Sequence, residues 1–356
     1  MKSRLERYRQ FIENDFIPSL VWNKDYKMNL SEDLTNKLKN KHFKRIVFNG
    51  MGCSAIVSDL IKGFFVMQDN NIEIEVINGY DIDYTIHKNI FSAEDTLVII
   101  SSYSGFSTEP IKIYEKIKTI TPNIIFLTSG GKLGELGEKE NVSMIYWQLR
   151  NPDRHYPLFH VPQFFSILID ICYHLGFLFS NFEKELKETE KYLQKFLTKE
   201  KLIEAKKLAN YLFDKDIILI ATPQIYLIFL KLFKMHLNEI AMAPAHRNMF
   251  HEFSHSEVAV CTNPTRKQLL WFFLNDNEDE YTENKFENVK KLMTEKILEN
   301  KNISIQETRI KSNDFFNNFF GNLLFNSYVV YYLGLLYDTH SRDLISQSSG
   351  NLWYKK

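Results

Sequence analysis

The chain has 356 residues, 44% of them hydrophobic and 25% charged, with lysine plus arginine equal to aspartate plus glutamate at 44 each. That length holds two domains with a core apiece, and the balanced charge excludes a global field that recruits nucleic acid or an anionic membrane surface. Three cysteines, Cys53, Cys172 and Cys261, lie far apart without paired spacing, which argues against a disulfide framework or a thiolate metal site and for a reducing cytoplasm.

The first segment, MKSRLERYRQ, is too charged for a signal peptide, so a soluble protein is expected. Leu5, Tyr8, Phe11, Ile12, Phe16 and Leu20 form a helical stripe interrupted near Pro18, which predicts a helical N-terminal segment over residues 1–40 that packs on a domain surface or a partner subunit. At Ile46, Val47 and Phe48 the pattern becomes a short buried strand. It runs into Asn49-Gly50-Met51-Gly52-Cys53-Ser54-Ala55 and then a helix with Ile56, Leu60, Ile61 and Phe64 on one face. Strand, glycine turn and helix is the layout of a phosphate-binding βα unit. Gly50, Gly52 and Ala55 also fit the dinucleotide fingerprint G-x-G-x-x-A, but a nicotinamide enzyme needs an acidic residue at the end of the next strand. Glu73 and Glu75 instead alternate around Ile74 as a solvated strand face, and Asp69 precedes the strand.

A strand over Ile72 to Ile77 is followed by a second buried one at Val98, Ile99 and Ile100. This leads into a loop offering Ser101, Ser102, Ser104, Ser107 and Thr108, then a helix marked by Ile111, Tyr114 and Ile117. Hydroxyls and backbone amides converging on a helix N-terminus suit a phosphate dianion; the same serines taken alone serve equally as turn and N-cap residues. Ile124 to Leu127 predicts a further strand into Thr128-Ser129-Gly130-Gly131-Lys132-Leu133, then a helix with Leu136 and a strand over Ser143 to Tyr146. Such alternation implies a parallel sheet covered on both faces, whose ligands sit beyond the carboxyl ends of the strands.

Trp147 to Pro157, WQLRNPDRHYP, is a proline-punctuated connector that closes a first domain over residues 41–158. Connecting helices follow over 159–200. They comprise the mostly apolar Phe164 to Phe179, broken by Asp170 and His174, which is expected to be buried between domains, and the start of a charged, solvated run from Glu183 to Lys207. The second domain, 201–356, opens with a strand at Ile217 to Ala221, a turn at Thr222 and Pro223, and a helix from Tyr226 to Leu237, without a serine cradle. In His236 to Cys261, His251-Glu252-Phe253-Ser254-His255 matches H-E-x-x-H, which on a long helix would place two imidazoles on one metal. Pro244 upstream and an expected strand at Val258-Ala259-Val260 leave no room for such a helix. Strands over Leu269 to Leu274 and Ile303 to Gln306, a helix over Phe286 to Leu298 between them, and an aromatic-rich helix over Phe315 to Leu336 for core or dimer interface complete the domain.

GMGCS after one strand, SSYSGFSTEP after another and TSGGKL after a third resemble a sugar isomerase (SIS) domain. The ordering and two-domain length resemble the bifunctional phosphoglucose/phosphomannose isomerases. The resemblance implies an α/β protein of two αβα SIS-type domains, each around a parallel sheet. It also implies that Gly52, Ser54, Ser102, Ser104 and Ser107 hold the phosphate of a sugar phosphate, although the family has Gly at Cys53 and Asn-Thr at Phe106-Ser107. By the same resemblance an arginine of the connector, Arg154 or alternatively Arg150, reaches the site. The family's Asn-Glu at a helix end, followed sixteen residues on by a histidine, is similar to Asn238-Glu239 and His255, with Glu239 as base and His255 as the ring-opening group. A C-terminal lysine of the family corresponds to Lys355 or Lys356, beyond a tail where Asp338 to Asp343 replaces the family's D-P-x-P-V.

Aldose–ketose isomerisation needs one group to open the hemiacetal and one base to carry a proton between C1 and C2. Histidine suits the first role, because its ordinary pKa lies near neutrality, and a carboxylate suits the second. The resemblance thus implies a homodimer that interconverts glucose 6-phosphate or mannose 6-phosphate with fructose 6-phosphate without a cofactor or metal, and the composition is read as that of a cytoplasmic protein engaging neither nucleic acid nor membrane. A non-catalytic phosphosugar-binding protein, an isomerase or deglycase of an amino-sugar phosphate, and a nicotinamide dehydrogenase are the alternatives.

Overall fold

The computed structural model describes residues 3–22, 24–80, 82, 89–151, 156–223, 225–262, 264–299, 302–311 and 314–339. The chain divides into two compact units, residues 18–187 and residues 188–356 joined by residues 1–17. Each is built around its own sheet.

The 18–187 unit holds β1 (Tyr26–Asn29), β2 (Arg45–Gly50), β3 (Glu73–Asn78), β4 (Thr96–Ser102), β5 (Ile124–Thr128) and β6 (Ser143–Trp147). They lie in the order β1-β6-β5-β4-β2-β3, parallel except for β1, which pairs antiparallel with β6 at the edge. The apolar runs Val98–Ile100 and Ile124–Leu127 become strands because both faces are covered: every residue of β4 and β5 is buried. On one face Val98, Ile100 and Phe126 pack with Ile113, Tyr114 and Ile117 of the helix Thr108–Ile117. The helices Cys53–Met67 and Val161–His174 pack on each other, with Phe64 edge-on to Phe165 at 6.0 Å. The second of these ends at His174, short of Phe179, and Gly176 at φ 82° leaves the helical region. Asp170 is buried in it because it accepts hydrogen bonds from the Tyr26 hydroxyl (2.7 Å) and the Asn181 amide (2.9 Å); a buried carboxylate needs such donors. Tyr26 belongs to β1, a strand inside the stretch 1–40 expected to be helical.

The second unit carries four parallel strands, β7 (Asp216–Ala221), β8 (Ala245–Met249), β9 (Gln268–Asn275) and β10 (Ile303–Ile310), in the order β10-β9-β7-β8. The expected strand at Val258–Val260 is instead a 3-10 turn, Glu257–Thr262. Val260 stays 51% exposed, and β-branched residues make a strand only where a pleated surface receives them. Conversely Ala-His-Arg-Asn-Met is a strand with no apolar run of its own, formed by pairing with β7 in register from Ile217↔Ala245 to Ala221↔Met249. The helix Phe315–Leu336 packs on Lys199–Leu212 and on the N-terminal helix Arg4–Asn14. Among the described residues it is the one helix long and apolar enough to cross a membrane, and 67% of its apolar window is buried inside the structure.

Candidate active site

In the 18–187 unit the strand order reverses between β2 and β4. β3 lies on one side of β2, while β4, β5 and β6 follow on the other. Crevices at such a switch point, beyond the carboxyl ends of the strands, are where open α/β sheets take ligands. Two of the sequence-predicted loops leave the sheet there. Gly52 at φ 59° stands at the N-cap of Cys53–Met67 without a side-chain cap, and Ser54 in the first turn is nearly buried. From neighbouring β4, Ser102 closes a tight turn by accepting from the Gly105 amide at 3.1 Å. Ser104 accepts from the Phe106 amide at 3.3 Å.

Ser107 occupies the N-cap of Thr108–Ile117, yet its hydroxyl makes no cap hydrogen bond. Among the described residues the hydroxyls of Ser54, Ser102 and Ser107 make no hydrogen bond. The structure therefore brings Gly52, Ser54, Ser102, Ser104 and Ser107 to adjacent strand ends with donors to spare and two helix N-termini beside them. That combination favours an anion.

The cradle is held from behind by groups the sequence does not announce. Gly105, at φ 69°, lies so close to the next loop that its carbonyl accepts from the Leu133 amide at 3.0 Å. The Tyr103 carbonyl accepts from the Ser129 amide (2.8 Å) and hydroxyl (2.6 Å). Tyr103 itself points inward, edge-on to Trp147 at 4.7 Å, and Trp147 stacks on Phe164 at 4.6 Å. Burial pushes the Tyr103 phenol above its ordinary pKa, and its hydroxyl accepts from the Leu149 amide at 3.3 Å. The loop of five hydroxyls is thus clamped to TSGG on one side and an aromatic stack on the other. Phe106 stands 63% exposed beside it, and the Cys53 thiol donates to the Pro157 carbonyl at 3.1 Å.

Glu73 and Glu75, weighed for a ribose, are engaged otherwise, by Arg45 and by Lys62 (3.3 Å). Arg154 falls in residues 152–155 and Lys355 and Lys356 in residues 340–356, outside the described residues. Arg150 is described: its guanidinium lies over the Trp22 ring at 5.1 Å, with one nitrogen buried and unpartnered.

In the other unit Glu239 is the last residue of the helix Lys231–Glu239, as the sequence predicts, and is half-buried. The turn after it is fixed by the Asn238 amide, which donates to the Ala243 carbonyl at 2.9 Å. On the same face one turn earlier, buried His236 meets the Tyr8 hydroxyl at 2.9 Å through Nδ1, so the N-terminal helix steadies the one carrying Glu239. His255 ends the short helix Phe250–His255 and is exposed. That helix has six residues, too few to carry the H-E-x-x-H geometry through further turns. Among the described residues no three His, Cys, Asp or Glu side chains group as a metal site.

Within this unit Glu239 and His255 lie on either side of β8. Glu239 precedes the amino end of β8, whose Ala245 pairs with Ile217, and His255 follows its carboxyl end, where Met249 pairs with Ala221. β8 separates the two helices in the chain.

Residues 202–344 match the family described as the bacterial phospho-glucose isomerase C-terminal SIS domain. A bifunctional phosphoglucose/phosphomannose isomerase of Caldicellulosiruptor bescii is 28% identical over 70% of this chain and 73% of its own length. One from Aquifex aeolicus is 26% identical over 67% and 69%. A D-glucosamine-6-phosphate 4-epimerase of Sulfolobus acidocaldarius is 25% identical over 73% and 78%. The fold is shared with a hypothetical protein of Thermus thermophilus (TM-score 0.67, 12% identity, 98% of this chain and 93% of that one). It is shared as well with the C-terminal domain of glucosamine-fructose-6-phosphate aminotransferase from Francisella tularensis (TM-score 0.64, 13% identity, 94% and 97%).

Proposed function

We propose that this chain, similar to the bifunctional phosphoglucose/phosphomannose isomerases, is an SIS-domain phosphosugar isomerase that interconverts glucose 6-phosphate or mannose 6-phosphate with fructose 6-phosphate. The observation that carries the reading is the cradle at the β2/β4 switch point, with three unspent serine hydroxyls at two helix N-termini. Ser54, Ser102, Ser104 and Ser107 hold the phosphate, with Gly52 letting the backbone approach. Anchoring that remote group positions C1 and C2 and contributes to turnover as well as binding.

In the proposed reaction His255 moves a proton between O5 and O1 to open the ring. Glu239 takes the proton from C2 of the aldose, leaving an enediolate, and delivers it to C1 to give the ketose. A guanidinium, Arg154 or Arg150, offsets the negative charge that develops on oxygen. Lys355 is a further candidate from the tail. Because Glu239 and His255 stand at opposite ends of β8, the reading includes a homodimer in which a second copy completes the pair.

The test is hydrogen exchange: protein and fructose 6-phosphate in deuterated water, with C1 and C2 followed by NMR. Deuterium incorporation with appearance of an aldose 6-phosphate is expected from the native chain, and none from Glu239→Gln, which retains phosphosugar affinity. Binding without exchange in the native chain would establish a phosphosugar-binding protein instead. A second reading, an amino-sugar phosphate as substrate, is favoured by the epimerase among the relatives and by exposed Phe106 where the family has Asn. Exchange with glucosamine 6-phosphate and not with fructose 6-phosphate selects it.

A further inference from the structure

A cavity of about 300 Å³ opens between the helix Phe315–Leu336 and the edge strand β10, closed by Tyr192, Phe196 and Lys201. None of its lining side chains belongs to the serine loops or to the Glu239 and His255 segments. The helix facing it is largely apolar, yet four asparagines, Asn317, Asn318, Asn322 and Asn326, the last three four residues apart, line the cavity.

Asparagine is a poor interior helix residue, and these amides are gathered on the side of the helix that lines the cavity. Asn318 and Asn322 each donate back to the carbonyl four residues earlier, at 2.6 and 2.8 Å, which leaves their side-chain oxygens for another donor. Asn326 is 6% exposed and makes no side-chain hydrogen bond among the described residues. The cations here are matched internally: Lys201 pairs with Glu204 at 2.8 Å, and Arg309 with Glu307 at 2.7 Å and with Glu283. No net positive charge is left for a phosphate. What remains is a set of amides with the half-exposed Tyr192 ring in one cavity, the chemistry that hydrogen-bonds hydroxyls and stacks on the C–H face of a carbohydrate, while Lys201 lies over the Phe196 and Phe325 rings.

We propose that this cavity binds a neutral polyhydroxylated small molecule, an unphosphorylated hexose or polyol, at a site separate from the phosphate cradle. D-Glucose and myo-inositol serve as probes in saturation-transfer NMR and calorimetry on the full chain. Transfer to at least one is expected in the native protein. Asn326→Leu, which removes the unpaired amide, should weaken binding at least tenfold while the protein keeps or gains thermal stability. Tyr192→Ala, at a partly exposed ring, should do the same if Asn326→Leu fails to fold. The double variant Ser102→Ala, Ser104→Ala should bind the probe unchanged. No transfer from either probe overturns the proposal. So does binding that is indifferent to Asn326 and Tyr192, or binding lost only with the serine loop.

Discussion

A methyl group built on Gly105 would stand 1.8 Å from the Gly130 carbonyl oxygen, at a backbone φ of +69°. Both facts oppose any side chain there, since left-handed backbone strains a Cβ and the obstacle is another loop's main chain, which cannot swing aside. Gly105→Ala is therefore expected to cost about 2–3 kcal/mol in a urea titration. If the serine loop holds a sugar phosphate as proposed, the substitution should also lower phosphosugar affinity by spreading the SSYSGFS loop from TSGG. An unchanged unfolding midpoint would show that the two loops do not rely on this contact. At this scale the sequence is readable where chemistry is local: Ser54, Ser102 and Ser107 stand where strand, turn and helix put them. Tyr103 and Trp147 are not readable as supports, because their partnership spans 44 positions of chain and aromatic residues look alike whether they brace a loop or fill a core.

Among the elements, buried apolar runs convert directly into strands β2, β4, β5, β7 and β9, because burial on both faces leaves no alternation to misread. β8 escapes for the opposite reason: its pairing with β7, and not its own composition, makes it a strand. The helices carry a pH dependence that follows from burial alone. In Val161–His174 the thiol of Cys172 is pushed well above its ordinary value of 9.0, and in the other unit Cys261 is pushed up to about 11. The Tyr8 phenol of the N-terminal helix is likewise driven up by burial. A folded value above the unfolded one means that the unfolded chain ionises first. Stability is thus full below pH 9 and falls as pH rises through the thiol and then the phenol range. Urea midpoints at pH 7, 9 and 10.5 should decline in that order. Cys172→Ala with Cys261→Ala should start lower at pH 7, having lost buried volume, but decline less steeply to pH 10. Midpoints flat to pH 10.5 would contradict burial of these groups.

For the whole molecule the consequential geometry is the span of β8 between Glu239 and His255. A base that moves a proton between C1 and C2 and a histidine that acts at O5 of the same sugar must stand within a few ångströms of one substrate, and these two end helices that flank opposite ends of β8. If both residues are catalytic, the carboxylate of one copy works with the imidazole of another. A two-fold dimer makes two such composite sites from the same pair of surfaces. The isomerase reading then predicts complementation. Glu239→Gln and His255→Ala are each inactive alone, but after mixing and exchange of subunits a heterodimer holds one site with both defects and one with neither. With random pairing, about half the dimers are mixed and one site in two of these is intact, so activity should return to roughly a quarter of the native level. Size-exclusion light scattering on the same mixtures fixes the dimer, and a rate that stays at the single-variant level despite exchange removes this pair as a shared site. Recovery would assign catalysis to an assembly whose register the sequence encodes only as sixteen residues of spacing, a number that is silent on which copy each residue serves.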